Sequence, residues 1–302
     1  MSIVGLDEAT LTAQSVDEAR RYLIDFGLVE AAPDGGYPLF LAQDNTGLRV
    51  APLDATDLPP PVTAGPNIRE IVWGVQDTGA LEWLAQDLSR DREVRLAAGV
   101  LSTTDVDGNP LAFRVTQRKA LVATPARVNV PGLPPQRPVN SVQDFVSQIK
   151  PLTFSHLVLY TPDLERILAD YTDRLGFRVT DRFTGAGAFM RAPGHSDHHQ
   201  LFFIQSPENR GLNHLAFHVR DHTEMMLAGK GFAGKGWTPA WGPGRHIFGG
   251  NCFWYFKSPF GGNFEFDADM DVVDENWVPR EDVMGPNTAA VWLCTMAVPA
   301  KH

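Results

Sequence analysis

Two cysteines in 302 residues, Cys252 and Cys294, are too few for a disulfide framework, and no Cys-x-x-Cys pair offers a zinc site. There is no run of ~18 apolar residues that would span a bilayer. The opening MSIVGLDEATL has neither a basic stretch nor a long apolar one, so no export signal is expected. Basic residues are in deficit, 26 against 36 acidic, for a net charge of -10. That balance argues against nucleic acid and membrane as partners, since nucleic acid and anionic lipid both reward a basic patch. The first half has no histidine at all: the nine stand at 156, 195, 198, 199, 214, 218, 222, 246 and 302. Together with 43% hydrophobic residues, these absences predict a soluble cytoplasmic protein that handles small molecules with imidazoles of its second half.

The chain repeats one plan. Residues 1 to 54 read as strand, helix and further strands: Ser15-Val16-Asp17-Glu18 is a capping box, Gly27 a helix stop, and Pro33-Asp34-Gly35-Gly36 a turn. Residues 68 to 117 do the same, with a helix over about 79–88. The plan returns at Thr153 to Tyr160, where Thr161-Pro162-Asp163 opens a helix to Leu175, and at Leu212 to Val219, where Asp221-His222-Thr223-Glu224 is a second capping box. The fold class expected is α+β: four βαβββ modules, paired so that strands curl into two open barrels, each around a cavity. The expected domains are 1–120, a Pro-rich linker 121–150, a second domain 151–270 and a tail 271–302. That tail either covers a barrel mouth or buries its tryptophans against another subunit.

His156 lies seven residues before Asp163, and His214 seven before Asp221, so two histidines occupy equivalent places in two repeats. Glu70 stands seven before Asp77 in the second module, yet nothing accompanies it. The first strands of modules three and four are expected to face one another across the cavity. The last strand then supplies Glu265, a carboxylate between Phe264 and Phe266 that would be costly to bury without a partner such as a metal ion. A lone strand histidine is ordinarily a hydrogen-bonded structural residue. Two at matched positions with a carboxylate on the closing strand point instead to a metal triad.

On the motifs F-S-His156-L-V-L, L-N-His214-L-A-F-H-V, G-R-His246 and Tyr255-x-x-S-P-x-G-G-x-x-Glu265, the sequence resembles the type I extradiol ring-cleaving dioxygenases of the vicinal oxygen chelate superfamily. The resemblance implies metal ligands at His156, His214 and Glu265, and catalytic roles for His199, His246 and Tyr255. His198 directly precedes His199, so the acid/base position is open by one; His199 is preferred because strand alternation puts it on the face of Leu201 and Phe203. Phe248, Asn251 and His198 are expected on the substrate side. The implied cofactor is Fe(II), with Mn(II) served by the same ligands. The implied reaction is cleavage of a small aromatic diol by dioxygen, in a homo-oligomer serving aromatic catabolism. Two alternatives use the same modules: a glyoxalase-like metal isomerase or lyase, which generally needs a second glutamate, and a non-catalytic ligand-binding protein of the bleomycin-resistance kind.

Overall fold

A computed structural model describes residues 3–122, 124, 127–142 and 149–294, so parts of the expected linker and the end of the tail, His302 included, lie outside the described residues. Each of the first strands is buried nearly throughout because it is hydrogen-bonded on both sides and covered on both faces. Each is followed by a helix whose N-cap side chain accepts from a backbone N–H three residues on: Ser15, Asp77, Asp163 and Asp221 do so in turn.

Module one is β1 (Ile3–Ala13), α1 (Val16–Phe26), β2 (Val29–Glu30), β3 (Leu39–Leu41) and β4 (Gly47–Pro52). Gly27 ends α1 at φ 108°, and a Cβ there would lie 2.4 Å from the Ile149 carbonyl oxygen. Module two is β5 (Ile68–Val75), α2 (Thr78–Leu88), β6 (Arg95–Ala97), β7 (Val100–Thr104) and β8 (Pro110–Val115). Module three is β9 (Thr153–Thr161), α3 (Leu164–Ala169), β10 (Arg178–Phe183), β11 (Gly187–Arg191) and β12 (Leu201–Gln205). Module four is β13 (Gly211–His218), α4 (His222–Gly234), β14 (Pro239–His246), β15 (Cys252–Lys257) and β16 (Asn263–Ala268). The expected α+β repeat of four modules is thus present. In module three the expected single helix widens into a π-helical turn over Asp170–Arg174. There Asp170 pairs with Arg92 and Arg174 with Asp87, which ties that turn to the first half.

The strands form two sheets, in the orders β2-β3-β4-β1-β5-β8-β7-β6 and, with the tail strands β17 (Arg280–Asp282) and β18 (Ala290–Leu293), β17-β10-β11-β12-β9-β13-β16-β15-β14-β18. One expectation is corrected. The first strands of paired modules do not face one another across a cavity but pair directly, antiparallel, at the centre of each sheet. The cavity lies over that central pair. In the tail, α5 (Pro286–Ala289) precedes β18, so the segment after β16 reaches both outer edges of the second sheet. Of its tryptophans, Trp277 donates to the Thr180 carbonyl and Trp292 packs against the main core, both within this chain.

One core cluster runs through both halves. Phe26 of α1 stacks on Phe266 of β16, with ring centroids 3.8 Å apart, and Trp73 of β5 meets Phe177 edge-on. Among the described residues no helix is long and apolar enough to cross a membrane.

Candidate active site

Register brings the expected residues together. Ala216 on β13 is aligned with His156 on β9 to one side and Glu265 on β16 to the other, and Glu265 is aligned with Tyr255 on β15. His214, two residues before Ala216, shares its face. Because Ala216 carries only a methyl group, the longer side chains either side of it meet above it. His156 Nε2 lies 3.1 Å and His214 Nε2 3.5 Å from Glu265 Oε2, and all three residues are buried. That Oε2 accepts no hydrogen bond. A buried carboxylate oxygen with two imidazole nitrogens at this range and no donor of its own fits a metal ion, and two imidazoles with one carboxylate suit iron or manganese.

The other imidazole nitrogens are tied from behind. Ser155 Oγ lies 3.0 Å from His156 Nδ1 and donates to Asp267 Oδ2 at 3.0 Å. Asp267 is 2.9 Å from His218 Nδ1, and His218 Nε2 is 3.1 Å from Asp197. Asn213 Oδ1 sits 2.6 Å from His214 Nδ1. With Nδ1 engaged, Nε2 of each ring is the one presented to the metal position. Ser155 and Asn213 occupy the same place, directly before His156 and His214, in two repeats, a repetition the sequence itself carries. Asp197 and His218 both belong to this partly buried network.

Without a metal, burial pushes the Glu265 carboxyl up to about 6. Burial, helped by neighbouring imidazoles, pushes His199 and His214 well down. It also brings His246 to about 4. Burial and the Glu265 carboxylate raise the Tyr255 phenol well above its usual value. His199, His214 and His246 are therefore neutral, the form that binds metal or accepts a proton.

His246, on β14, places Nδ1 3.1 Å from the Ala289 carbonyl and Nε2 3.1 Å from the Tyr255 hydroxyl. The carbonyl can only accept, so Nδ1 carries the proton and the tyrosine donates to Nε2. His199 reaches the cavity for a reason other than the one expected. It lies in the segment before β12, and Leu201 and Phe203 go to the main core, while Phe202 and Ile204 line the cavity with it. Its ring centroid is 4.5 Å from that of His156. Gly249, at φ 80°, leaves the room: a Cβ there would lie 3.1 Å from His199 Cε1.

The cavity measures about 270 Å³. Its lining includes the polar groups of His156, His199, His214, His246 and Tyr255 and the apolar cluster of Val158, Phe183, Phe189, Phe202 and Phe248, with Met284 and Ala289 of the tail. Phe248 is thus where it was expected. His198 and Asn251 are not on the wall. His198 is fully buried with Nε2 2.8 Å from Asp181, and Asn251 is fully buried with its amide nitrogen 3.5 Å from Glu265 Oε1. Both stand behind groups that do face the cavity.

The first half has a counterpart in which, among the described residues, no metal triad forms. Glu8 stands seven residues before the Ser15 cap, as His156 does before Asp163, and Glu70 holds the place of His214. Arg49 Nε lies 2.8 Å from Glu8 Oε1 and Arg114 Nη2 3.3 Å from Oε2, so guanidinium groups neutralise the carboxylate there.

Paired βαβββ modules around a two-histidine, one-carboxylate cluster define the vicinal oxygen chelate fold. Residues 153–266 match the family model described as "Glyoxalase/Bleomycin resistance protein/Dioxygenase superfamily". Metapyrocatechase 2 of Cupriavidus necator is 36% identical over 191 residues, covering 62% of this chain and 58% of that protein. An iron-dependent extradiol dioxygenase of Rhodococcus jostii (strain RHA1) is 32% identical over 139 residues, covering 42% of this chain and 46% of its own length. The chain thus spans about half the length of these curated relatives. Among solved structures, the Mn(II)-bound glyoxalase from Novosphingobium aromaticivorans superposes with a TM-score of 0.77 at 21% identity, over 96% of this chain and 91% of that one.

Proposed function

We propose that the protein is an extradiol dioxygenase that opens the ring of a catechol-type substrate with O2, using a metal held by His156, His214 and Glu265. The observation that carries this reading is the donor set. Glu265 Oε2 is buried without a hydrogen bond between two imidazoles, and the remaining polar groups on the cavity wall include His199, His246 and Tyr255 but no second carboxylate. A glyoxalase-like isomerase, which generally takes a second glutamate to the metal, is disfavoured by that wall. Fe(II) is the cofactor favoured, and the same donors serve Mn(II). The metal supplies Lewis acidity toward the two catechol oxygens and an electron path between ring and dioxygen.

The residues supply the rest. Tyr255, whose proton is committed to His246, presents oxygen lone pairs to a substrate hydroxyl and helps to draw off its proton. His199, buried and neutral, is the second base and returns a proton later in the cycle. Phe189, Phe202 and Phe248 pack on the apolar edge of the ring and keep water out. Residues 151–270 are the catalytic domain on this reading, and a cytoplasmic homo-oligomer in aromatic catabolism is the setting it implies.

The test is anaerobic reconstitution with Fe(II) or Mn(II), then a panel of catechols in air, following oxygen uptake and the visible absorbance of the ring-opened product. One dioxygen consumed per catechol is the expected result. No uptake by metal-loaded protein would turn the assignment to the oxygen-independent isomerase. His199→Phe is expected to bind catechol and lose about 10²–10⁴-fold in turnover.

A further inference from the structure

Behind His199 runs a chain of four residues from three separate parts of the sequence. His199 Nδ1 lies 3.0 Å from His198 Nδ1, and His198 Nε2 lies 2.8 Å from Asp181 Oδ2. Asp181, on β10, also accepts from Arg280 of the tail strand β17, at 2.6 Å from Nη2 and 2.8 Å from the backbone N–H. His198 and Asp181 are fully buried and His199 nearly so. The Arg280 guanidinium is itself seated between two rings, with Cζ 5.0 Å from the centroid of Phe248 and 5.1 Å from that of Trp277.

Hydrogen-bond chemistry fixes the direction of this chain. Arginine can only donate and an ionised carboxylate can only accept. Burial alone would raise the Asp181 carboxyl, but the hydrogen bonds from His198 and Arg280 outweigh it and hold the group below its usual range, so it is ionised. His198 must therefore carry its proton on Nε2. In a neutral His198 the Nδ1 is then a lone pair, and the short contact to His199 Nδ1 requires the proton to be on His199.

We propose that Asp181 and His198 are positioning residues that set the tautomer of His199, holding its proton on Nδ1 and leaving the Nε2 lone pair to face the cavity as a base. Arg280 keeps Asp181 in the accepting state, so the tail strand takes part in the site through this contact. The inference rests on reading His199 as the base of the ring-cleaving reaction. It gives His198, the first histidine of the His198-His199 pair, a function that involves no contact with substrate.

Asp181→Asn tests it with nearly the same shape. Oδ2 accepts from both His198 Nε2 and Arg280 Nη2, so an amide with its oxygen at the Oδ1 position keeps the bond from the Arg280 backbone N–H, gives up the one from Nη2 and turns its NH2 group to His198 Nε2, which sends the His198 proton to Nδ1 and turns His199 over to the Nε2–H form. The expected result is a loss on the order of 10²–10⁴ in kcat, with KM for catechol and the affinity for Fe(II) little changed. Nitrogen-15 spectra of histidine-labelled protein, loaded with diamagnetic Zn(II), should show His199 protonated on Nδ1 in the wild type and on Nε2 in the variant. His198→Gln offers an amide that donates to Asp181 and accepts from His199, and should retain far more activity than His198→Phe. A wild-type His199 carrying its proton on Nε2 overturns the proposal, as does Asp181→Asn with more than about a tenth of wild-type kcat, or His198→Gln as inactive as His198→Phe. If the wild type consumes no oxygen with any catechol, the reaction reading fails, and the nitrogen spectra still decide the tautomer on their own.

Discussion

His156 and Glu265 stand two strands apart in one rung of the second sheet, with Ala216 aligned between them. Their contact passes over a single methyl group. Ala216→Val should therefore place two extra carbons beneath the ligand atoms while keeping a residue that strands favour. The expected outcome is a folded protein, destabilised by about 1–3 kcal/mol, whose Fe(II) or Mn(II) affinity falls about 10–100-fold. Anaerobic metal titration beside thermal unfolding measures both, and unchanged affinity would show that the rung does not set the ligand spacing.

Removing the carboxylate should affect the metal-free chain as well. The Glu265 carboxyl is raised from its usual 4.5 to about 6, so the folded state holds its proton over a range where the unfolded state has lost it. Stability contributed by this group falls as pH rises from 4.5 to about 6, by about 2 kcal/mol in total. Glu265→Gln should remove that fall and also remove stoichiometric metal binding. Unfolding of chelator-treated wild type and variant at pH 5 and pH 7 is the check.

His218 carries the opposite sign. Burial alone would lower its pKa, but Asp267 and Asp197 prevail and hold it well above 6.5. Its contribution to stability is complete below pH 6.5 and disappears only as pH climbs through the raised value. His218→Leu leaves two carboxylates without their partner and should cost about 3–5 kcal/mol at pH 6, with a smaller gap from wild type in alkaline buffer. A gap that widens with pH would mean the imidazole is neutral in the fold.

Phe26 gives a test of how the halves depend on each other. Its ring packs on Phe266, and on Phe217, Phe232 and Phe264 at centroid distances of 5.9, 5.5 and 5.5 Å, all in module four. Phe26→Ala should cost about 3–5 kcal/mol and lower a single cooperative unfolding transition. Two transitions, one of them unmoved, would show the halves to be independent.

The repeat was legible because each module opens with a largely apolar strand followed by a polar helix cap, and both are local properties. The triad was legible because His156 and His214 sit at fixed distances before those caps. What stayed hidden depends on pairing between distant segments. That β9 and β13 are neighbours rather than opposite walls follows from sheet order, which periodicity does not report. The alternation argument put His199 on the face of Leu201 and Phe203, but those two belong to the main core while His199 lines the cavity. The partnership of Asp181 with Arg280 spans 99 positions and has no local signature. His198 was placed with the substrate because adjacency to His199 was visible and its own burial was not.

The Glu8 cluster has a consequence for how the two halves meet their surroundings. Arg49 and Arg114 are cations the first half carries covalently, whereas the second half, on the proposed reading, must import its positive charge from solution. Iron starvation or a chelator would then act on one side of a duplicated molecule and leave its twin as an internal reference. Hydrogen exchange should record this directly, with amides around His156, His214 and Glu265 opening sooner when metal is withdrawn and those around Glu8 keeping their pace.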